Sequence, residues 1–168
     1  VASAVILPKD FNFEIVMDSK KLTEKKRNEA FKLITTHAID YSISFVSPQT
    51  IDKINILQAT MEAMHNCLDD LKTNFNIILV DGNYFKPYKD VEHVCVTKGD
   101  DTYYSIAAAS ILAKVTRDNY MKELHKEFPE YGWGSNKGYG SSDHIQMIKE
   151  IGITEHHRQS FLKNILQS

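Results

Sequence analysis

The sequence predicts an α/β domain built on a mixed sheet, with a helical segment at its C-terminal end. Three observations lead there. Short apolar runs of strand character stand near residues 2–7, 41–46, 76–80 and 91–97. Segments with apolar residues three and four apart stand between and after them, so strands alternate with helices. The chain has 168 residues, which suits one domain with a real core.

Taken in order, residues 2–7 (ASAVIL) are an apolar strand stopped by Pro8. A loop follows, then the polar run DSKKLT leads into a helix from Glu24 to about His37. Thr23 is a good N-cap there, and Glu24 suits the positive helix start. Ala30, Phe31, Ile34 and Ala38 share one face. YSISFV alternates and reads as a strand. Ser47 and Pro48 then cap and open a helix carrying Ile51, Ile54, Ile56, Leu57, Met61, Met64 and Leu68 at helical spacing. Continuous apolar strands at 76–80 and 91–97 precede a long helix that runs to about Phe128, where Pro129 ends it. Its inward residues are Ala108, Ile111, Leu112, Val115, Leu124 and Phe128. Residues 131–142 read as a Gly-rich loop, 143–151 as a helix broken by Gly152, and 154–166 as a basic, His-rich end.

Composition narrows the function classes. The net charge is −2, so the molecule is no polycation, and nucleic-acid binding needs local basic patches. No apolar run reaches the roughly 18 residues of a membrane span, and no secretory signal pattern stands at the front. Cys67 and Cys95 make neither a metal spacing nor a disulfide framework, as expected of reduced cytoplasmic thiols. Val1 is not an initiator Met, and VASAVIL reads as a strand already under way. Residues are therefore expected to precede it.

Two aspartates suggest chemistry. Asp81 ends the apolar run in NIILVDGN, and ligands of open α/β sheets collect at the carboxyl ends of strands. The plain alternative is a turn-forming Asp-Gly pair. Asp100 follows the next strand and precedes a helix of small residues, Ala107, Ala108, Ala109, Ser110 and Ala113. Its plain alternative, shared with Asp101, is a helix cap. Two neighbouring strands presenting both carboxylates at one rim suit a hard divalent cation such as magnesium. Two such ions can clamp the attacking and leaving oxygens of a phosphodiester.

Basic and aromatic residues extend the pattern. Lys25, Lys26 and Arg27 fit a solvated face, whereas Lys20 in a DSKKL turn and Lys137 in a Gly-rich loop fit phosphate contact. Lys98, Lys114 and Arg117 flank the aspartates in sequence. Tyr139 in NKGYG lies between two glycines and either stacks on a sugar or base or covers the core edge. Tyr131 and Trp133 fit packing. His156 and His157 are adjacent, so they point apart on any regular element and are not expected to share a metal.

In order along the chain, VASAVIL, DSKKLTEKKR, IDKINILQAT, ILVDGN, KGDDTYYSIAAASILAKVTRD, YGWGSNKGYGSSDH and EHHRQSF resemble ribonuclease HII, the type 2 ribonuclease H family, over nearly the whole chain. The resemblance implies a ribonuclease H-like fold, a central mixed sheet flanked by helices. It implies an endonuclease, dependent on Mg²⁺ or Mn²⁺, that cleaves the RNA strand of RNA/DNA hybrids. Single ribonucleotides embedded in duplex DNA are also cleaved, on their 5′ side, leaving a 3′-hydroxyl and a 5′-phosphate. Asp81 and Asp100 match two of the family's four catalytic, metal-binding carboxylates. Tyr139 matches a tyrosine that stacks on the sugar after the junction and helps sense the 2′-hydroxyl. Lys20 matches a residue near the nucleic-acid backbone. Ser141 replaces a common threonine but keeps the hydroxyl, and Tyr103 replaces a common serine; Ser141 and, from its place in the Gly-rich loop, Lys137 are expected among the substrate contacts.

In the family a first strand ending in Asp-Glu, followed by a Gly-Arg-Gly turn, stands before VASAVIL. The expectation is one N-terminally incomplete domain over residues 1–168, a cytoplasmic monomer holding half the catalytic set. By itself it is expected to be weak or inactive. A hybrid-binding fragment without catalysis is one alternative. The sister family ribonuclease HIII, which shares DSKKL, is another, although NILQAT and HHRQSF favour HII.

Overall fold

Helix starts follow their caps. The Thr23 hydroxyl accepts the Lys26 N–H at 3.3 Å, opening a helix over Glu24–His37. The Ser47 hydroxyl accepts the Thr50 N–H at 3.1 Å and opens the helix at Pro48. The structure, a computed structural model, describes residues 1–17 and 22–166, so Lys20 lies outside the described residues. The elements are β1 (Ala2–Ile6), α1 (Glu14–Met17), α2 (Glu24–His37), β2 (Asp40–Ser44), α3 (Pro48–Asp70), β3 (Ile77–Asp81), β4 (Glu92–Val96), α4 (Tyr104–Glu127), α5 (Trp133–Asn136), α6 (Ser142–Ile151) and α7 (Lys163–Leu166). The chain divides into two compact units, Val1–Phe45 with Thr60–Val115, and Val46–Ala59 with Thr116–Ser168.

The first unit holds the strands. β1 pairs antiparallel with β2, from Ala2 opposite Ser44 to Ile6 opposite Asp40. β3 pairs parallel with β4, from Ile77 opposite Glu92 to Asp81 opposite Val96. The set is mixed as expected, but the two pairs share no ladder among the described residues. An apolar cavity of about 570 Å³ takes that place, lined by Ala4 and Ile6 of β1, Ile78 and Val80 of β3, and Met64 and Ala109. One core cluster joins Val16, Ala30 and Ile34 to Ala107, Ala108, Ile111, Leu112 and Val115. A second joins Met61, Leu68, Ile78, Val80, Phe85 and Tyr88. Each fully buried Ile or Leu contributes roughly 1.5–3 kcal/mol relative to exposure. The small residues of α4 permit close packing: the Ser3 hydroxyl donates to the Ala109 carbonyl at 2.5 Å.

α3 departs from its continuous periodicity. Asn55 takes φ 66° and ψ 165°, a positive-φ conformation outside the αL well that breaks the helix. Its side-chain oxygen accepts the Leu57 and Gln58 N–H groups at 3.0 and 3.1 Å, so it caps a fresh helical segment. Ile56 and Leu57, read from spacing as core residues, are about half exposed.

The second unit contains its own core of Leu124, Tyr131, Trp133, Ile148 and Leu162. Its 131–142 stretch is more ordered than a Gly-rich loop: a 3₁₀ turn at Pro129–Tyr131 leads into α5. Tyr131 and Trp133 are packing residues, with rings stacked 5.0 Å apart. Both cysteines are free thiols, and burial raises the Cys67 pKa. No helix among the described residues is long and apolar enough to cross a membrane.

Candidate functional site

Asp81 is the last residue of β3, at its carboxyl end. Beyond it the ladder continues once more, the Gly82 N–H donating to the Val96 carbonyl at 3.1 Å. After β4, Lys98 takes the left-handed conformation and turns the chain into a 3₁₀ turn over Gly99–Asp101. The Asp81 carboxylate then accepts the Gly99 N–H at 3.1 Å. That bond joins the exposed Asp81 to the residue directly before the buried Asp100. The bond sets Asp81, at the carboxyl end of the parallel pair, beside the turn that carries Asp100. Gly99 stands in close quarters: an added Cβ would lie 2.4 Å from Ile106 Cδ1 and 3.2 Å from Val96 Cβ.

The donor set decides which ion fits. Carboxylate oxygens suit a hard cation, and magnesium is commonly held by one or two carboxylates with water completing its shell. Asp81 and Asp100 fit one such hydrated ion. They offset only half the charge of two. Among the described residues no group of three His, Cys, Asp or Glu converges as a metal site.

The other predicted contacts gather in the second unit, on the turn after α5. The Lys137 ammonium donates to the Gly134 carbonyl. Tyr139 is 62% exposed, and the Arg117 guanidinium lies 5.0 Å from its ring centre, within cation–π range. Arg117 also donates to the Lys137 carbonyl at 2.7 Å. Arg158 lies over the Phe161 ring at 4.1 Å, and burial, with Arg117 nearby, lowers its pKa. Carboxylates accompany both arginines: Asp118 lies 3.9 Å from Arg117, and Asp52 stands near Arg158. The Ser141 hydroxyl accepts the His144 N–H at 3.3 Å as the N-cap of α6, which leaves its own proton for donation.

Sequence reading passed over His144. It is buried and lies 3.3 Å, Nε2 to Nε2, from His157. Ser141 three residues earlier was a cap signal, but nothing local tied residue 144 to residue 157. Burial, reinforced by His144, pushes His157 down to about 4. A histidine depressed in the folded state stabilises fully above its unfolded pKa of 6.5 and loses that contribution as pH falls toward 4. Between these values the unfolded chain binds more protons, so folding stability is expected to decline with acidification, by at most about 1.4 kcal/mol per pH unit. Urea unfolding followed by the fluorescence of the single Trp133 checks this. A His157→Asn variant should lose that part of the slope.

Comparison with known proteins supplies the family. The sequence model of the Ribonuclease HII family matches residues 1–164. The chain is 51% identical over 160 residues to the Ribonuclease HII of Phocaeicola vulgatus, covering 95% of this chain and 80% of the relative. It is 52% identical over 160 residues to that of Bacteroides fragilis, with the same coverage of 95% and 80%. Among solved structures, the ribonuclease H2 from Pyrococcus horikoshii OT3 superposes with a TM-score of 0.75 at 26% identity, over 92% of this chain and 82% of that one. The RNase HII of a PCNA complex from Archaeoglobus fulgidus gives 0.72 at 24% identity, over 99% and 87%, a likeness of fold. The strands and flanking helices are therefore those of a ribonuclease H-like α/β fold, and the chain belongs to the ribonuclease HII family.

Proposed function

We propose that this protein is a divalent-cation-dependent endoribonuclease acting on the RNA strand of RNA/DNA hybrids and on single ribonucleotides in duplex DNA. The observation that carries the reading is the bond from the Gly99 N–H to the Asp81 carboxylate, which sets Asp81 beside the turn that carries Asp100, in a chain of this family. Asp81 and Asp100 would hold Mg²⁺ or Mn²⁺, which when bound stabilises charge developing on the phosphoryl group. A water oxygen forms the new bond to phosphorus and the bond to the 3′-oxygen breaks. Protonation of that oxygen leaves a 3′-hydroxyl, and the ribonucleotide keeps the 5′-phosphate. Tyr139 packs its exposed ring on the sugar beside the junction. Lys20, Lys137 and Ser141 contact the backbone, where positive charge and hydroxyl donors fix register. The 2′-hydroxyl distinguishes RNA from DNA at such a site. The protein acts in the cytoplasm as a monomer.

The lack of a three-ligand cluster among the described residues favours a second reading, in which this chain by itself binds hybrids and cleaves them weakly or not at all. One experiment tests both. The 168-residue protein is incubated with Mg²⁺ or Mn²⁺ and a labelled duplex carrying one ribonucleotide, beside an all-DNA control. Preference for the ribonucleotide duplex, with affinity falling as salt rises, is expected under either reading. Product ending 5′ of the ribonucleotide supports the nuclease, and binding without product supports the second reading. Equal affinity for both duplexes without product overturns both.

A further inference from the structure

Tyr139 combines a largely exposed ring with a backbone held at every polar atom. Its N–H donates to the Asn136 carbonyl at 2.9 Å. Its carbonyl accepts twice, from the Ser141 N–H at 2.9 Å and from His144 Nδ1 at 2.9 Å. The preceding turn is equally committed. Asn136 accepts the Gly138 N–H at 2.8 Å and donates to the Tyr131 carbonyl at 2.7 Å. Gly138 has φ +75°, and a Cβ there would stand 3.1 Å from Met121 Cε.

The protons around His144 admit one arrangement. An indole N–H only donates, so His144 Nε2, 3.0 Å from Trp133 Nε1, accepts. The His144 proton therefore sits on Nδ1 and donates to the Tyr139 carbonyl, which only accepts. The Thr154 N–H donates to His157 Nδ1 at 3.0 Å, which places the His157 proton on Nε2. That proton faces His144 Nε2 at 3.3 Å. Two donors thus converge on one nitrogen of a buried ring, and the ring's other nitrogen directs its proton at the Tyr139 carbonyl. A second nitrogen partner selects the histidine tautomer in this way elsewhere.

We propose that His144 is a positioning residue for the Tyr139 contact with substrate, its tautomer and ring orientation set by Trp133 and His157. The proposal rests on the reading of Tyr139 as a substrate contact. Its physical sense is preorganisation: an aromatic anchor fixed before binding loses less freedom when it binds.

Affinity for a ribonucleotide-containing duplex, measured without divalent cation, tests the proposal. Tyr139→Ala and His144→Ala are each expected to weaken binding by about tenfold, a factor worth about 1.4 kcal/mol. Because His144 acts through Tyr139, H144A should weaken binding by less than about twofold in the Y139A background. His144→Asn, whose amide nitrogen stands close to Nδ1, should restore most of the affinity. Equal losses from H144A in both backgrounds, or no loss when Y139A weakens binding, would overturn the positioning role and leave Tyr139 as a contact. No loss in Y139A overturns the substrate contact and the positioning role with it. Should H144A fail to fold, ¹⁵N histidine spectra of the unmutated protein still decide. His144 protonated at Nδ1 and His157 at Nε2 supports the network, and the reverse assignment at His144 overturns it.

Discussion

Asp81→Asn is expected to weaken Mn²⁺ binding by at least about a hundredfold and to remove any cation-dependent cleavage, while leaving the fold intact. Asparagine keeps a side-chain oxygen where Asp81 Oδ1 accepts the Gly99 N–H, so the bond joining β3 to the 3₁₀ turn survives. What disappears is one negative charge at the rim. A unit charge pair near a protein surface interacts by roughly 4 kcal/mol at ~4 Å, and a divalent ion doubles the attraction. Even after solvent screening, about 2.7 kcal/mol of loss, a hundredfold, is a conservative expectation. Titration of the protein with Mn²⁺, followed by electron paramagnetic resonance, measures the affinity. Thermal unfolding should move by less than about 0.5 kcal/mol, as for exposed substitutions. Unchanged Mn²⁺ affinity in the variant would remove Asp81 from the metal site. A large loss of stability would instead assign it a structural role.

Trp133→Ala is expected to cost about 3–5 kcal/mol of folding free energy. Trp133 is 2% exposed. Its ring stacks on Tyr131 at 5.0 Å and packs against Phe128 at 5.8 Å and His157 at 5.1 Å. Truncation removes that apolar burial, opens a cavity, and takes away the indole N–H that donates to His144. Against a typical total of about 5–15 kcal/mol, such a loss unfolds a large fraction of molecules at moderate denaturant. Urea unfolding followed by circular dichroism measures it. Trp133→Phe keeps most of the apolar contact and should cost less. A Trp133→Ala loss below about 1 kcal/mol would mean that the core around Tyr131 does not depend on this ring.

Much of the molecule is legible along the chain because its signals are local. Thr23, Ser47 and Gly152 announce helix boundaries through two hydroxyl caps and a positive-φ glycine that act within a few residues. The inward face of α4 follows from the spacing of Ala108, Ile111, Leu112 and Val115, all buried. Asp81 and Asp100 were singled out because a strand end and turn composition are local signals. The kink at Asn55 was not, since apolar spacing runs straight through it and only the backbone angles reveal the break. The short helix at Trp133–Asn136 was hidden by a glycine-rich composition that reads as loop.

The sequence by itself determined the α/β class and the family, because periodicity, caps and motif order are properties of neighbouring residues. Tertiary structure alone decided the rest. It paired the Asp81 carboxylate with an amide 18 residues away. It brought His144 to His157 and set its Nδ1 against the Tyr139 carbonyl. Each of these is a contact between residues that no local period relates, fixed only when buried polar groups must find partners within the packed core.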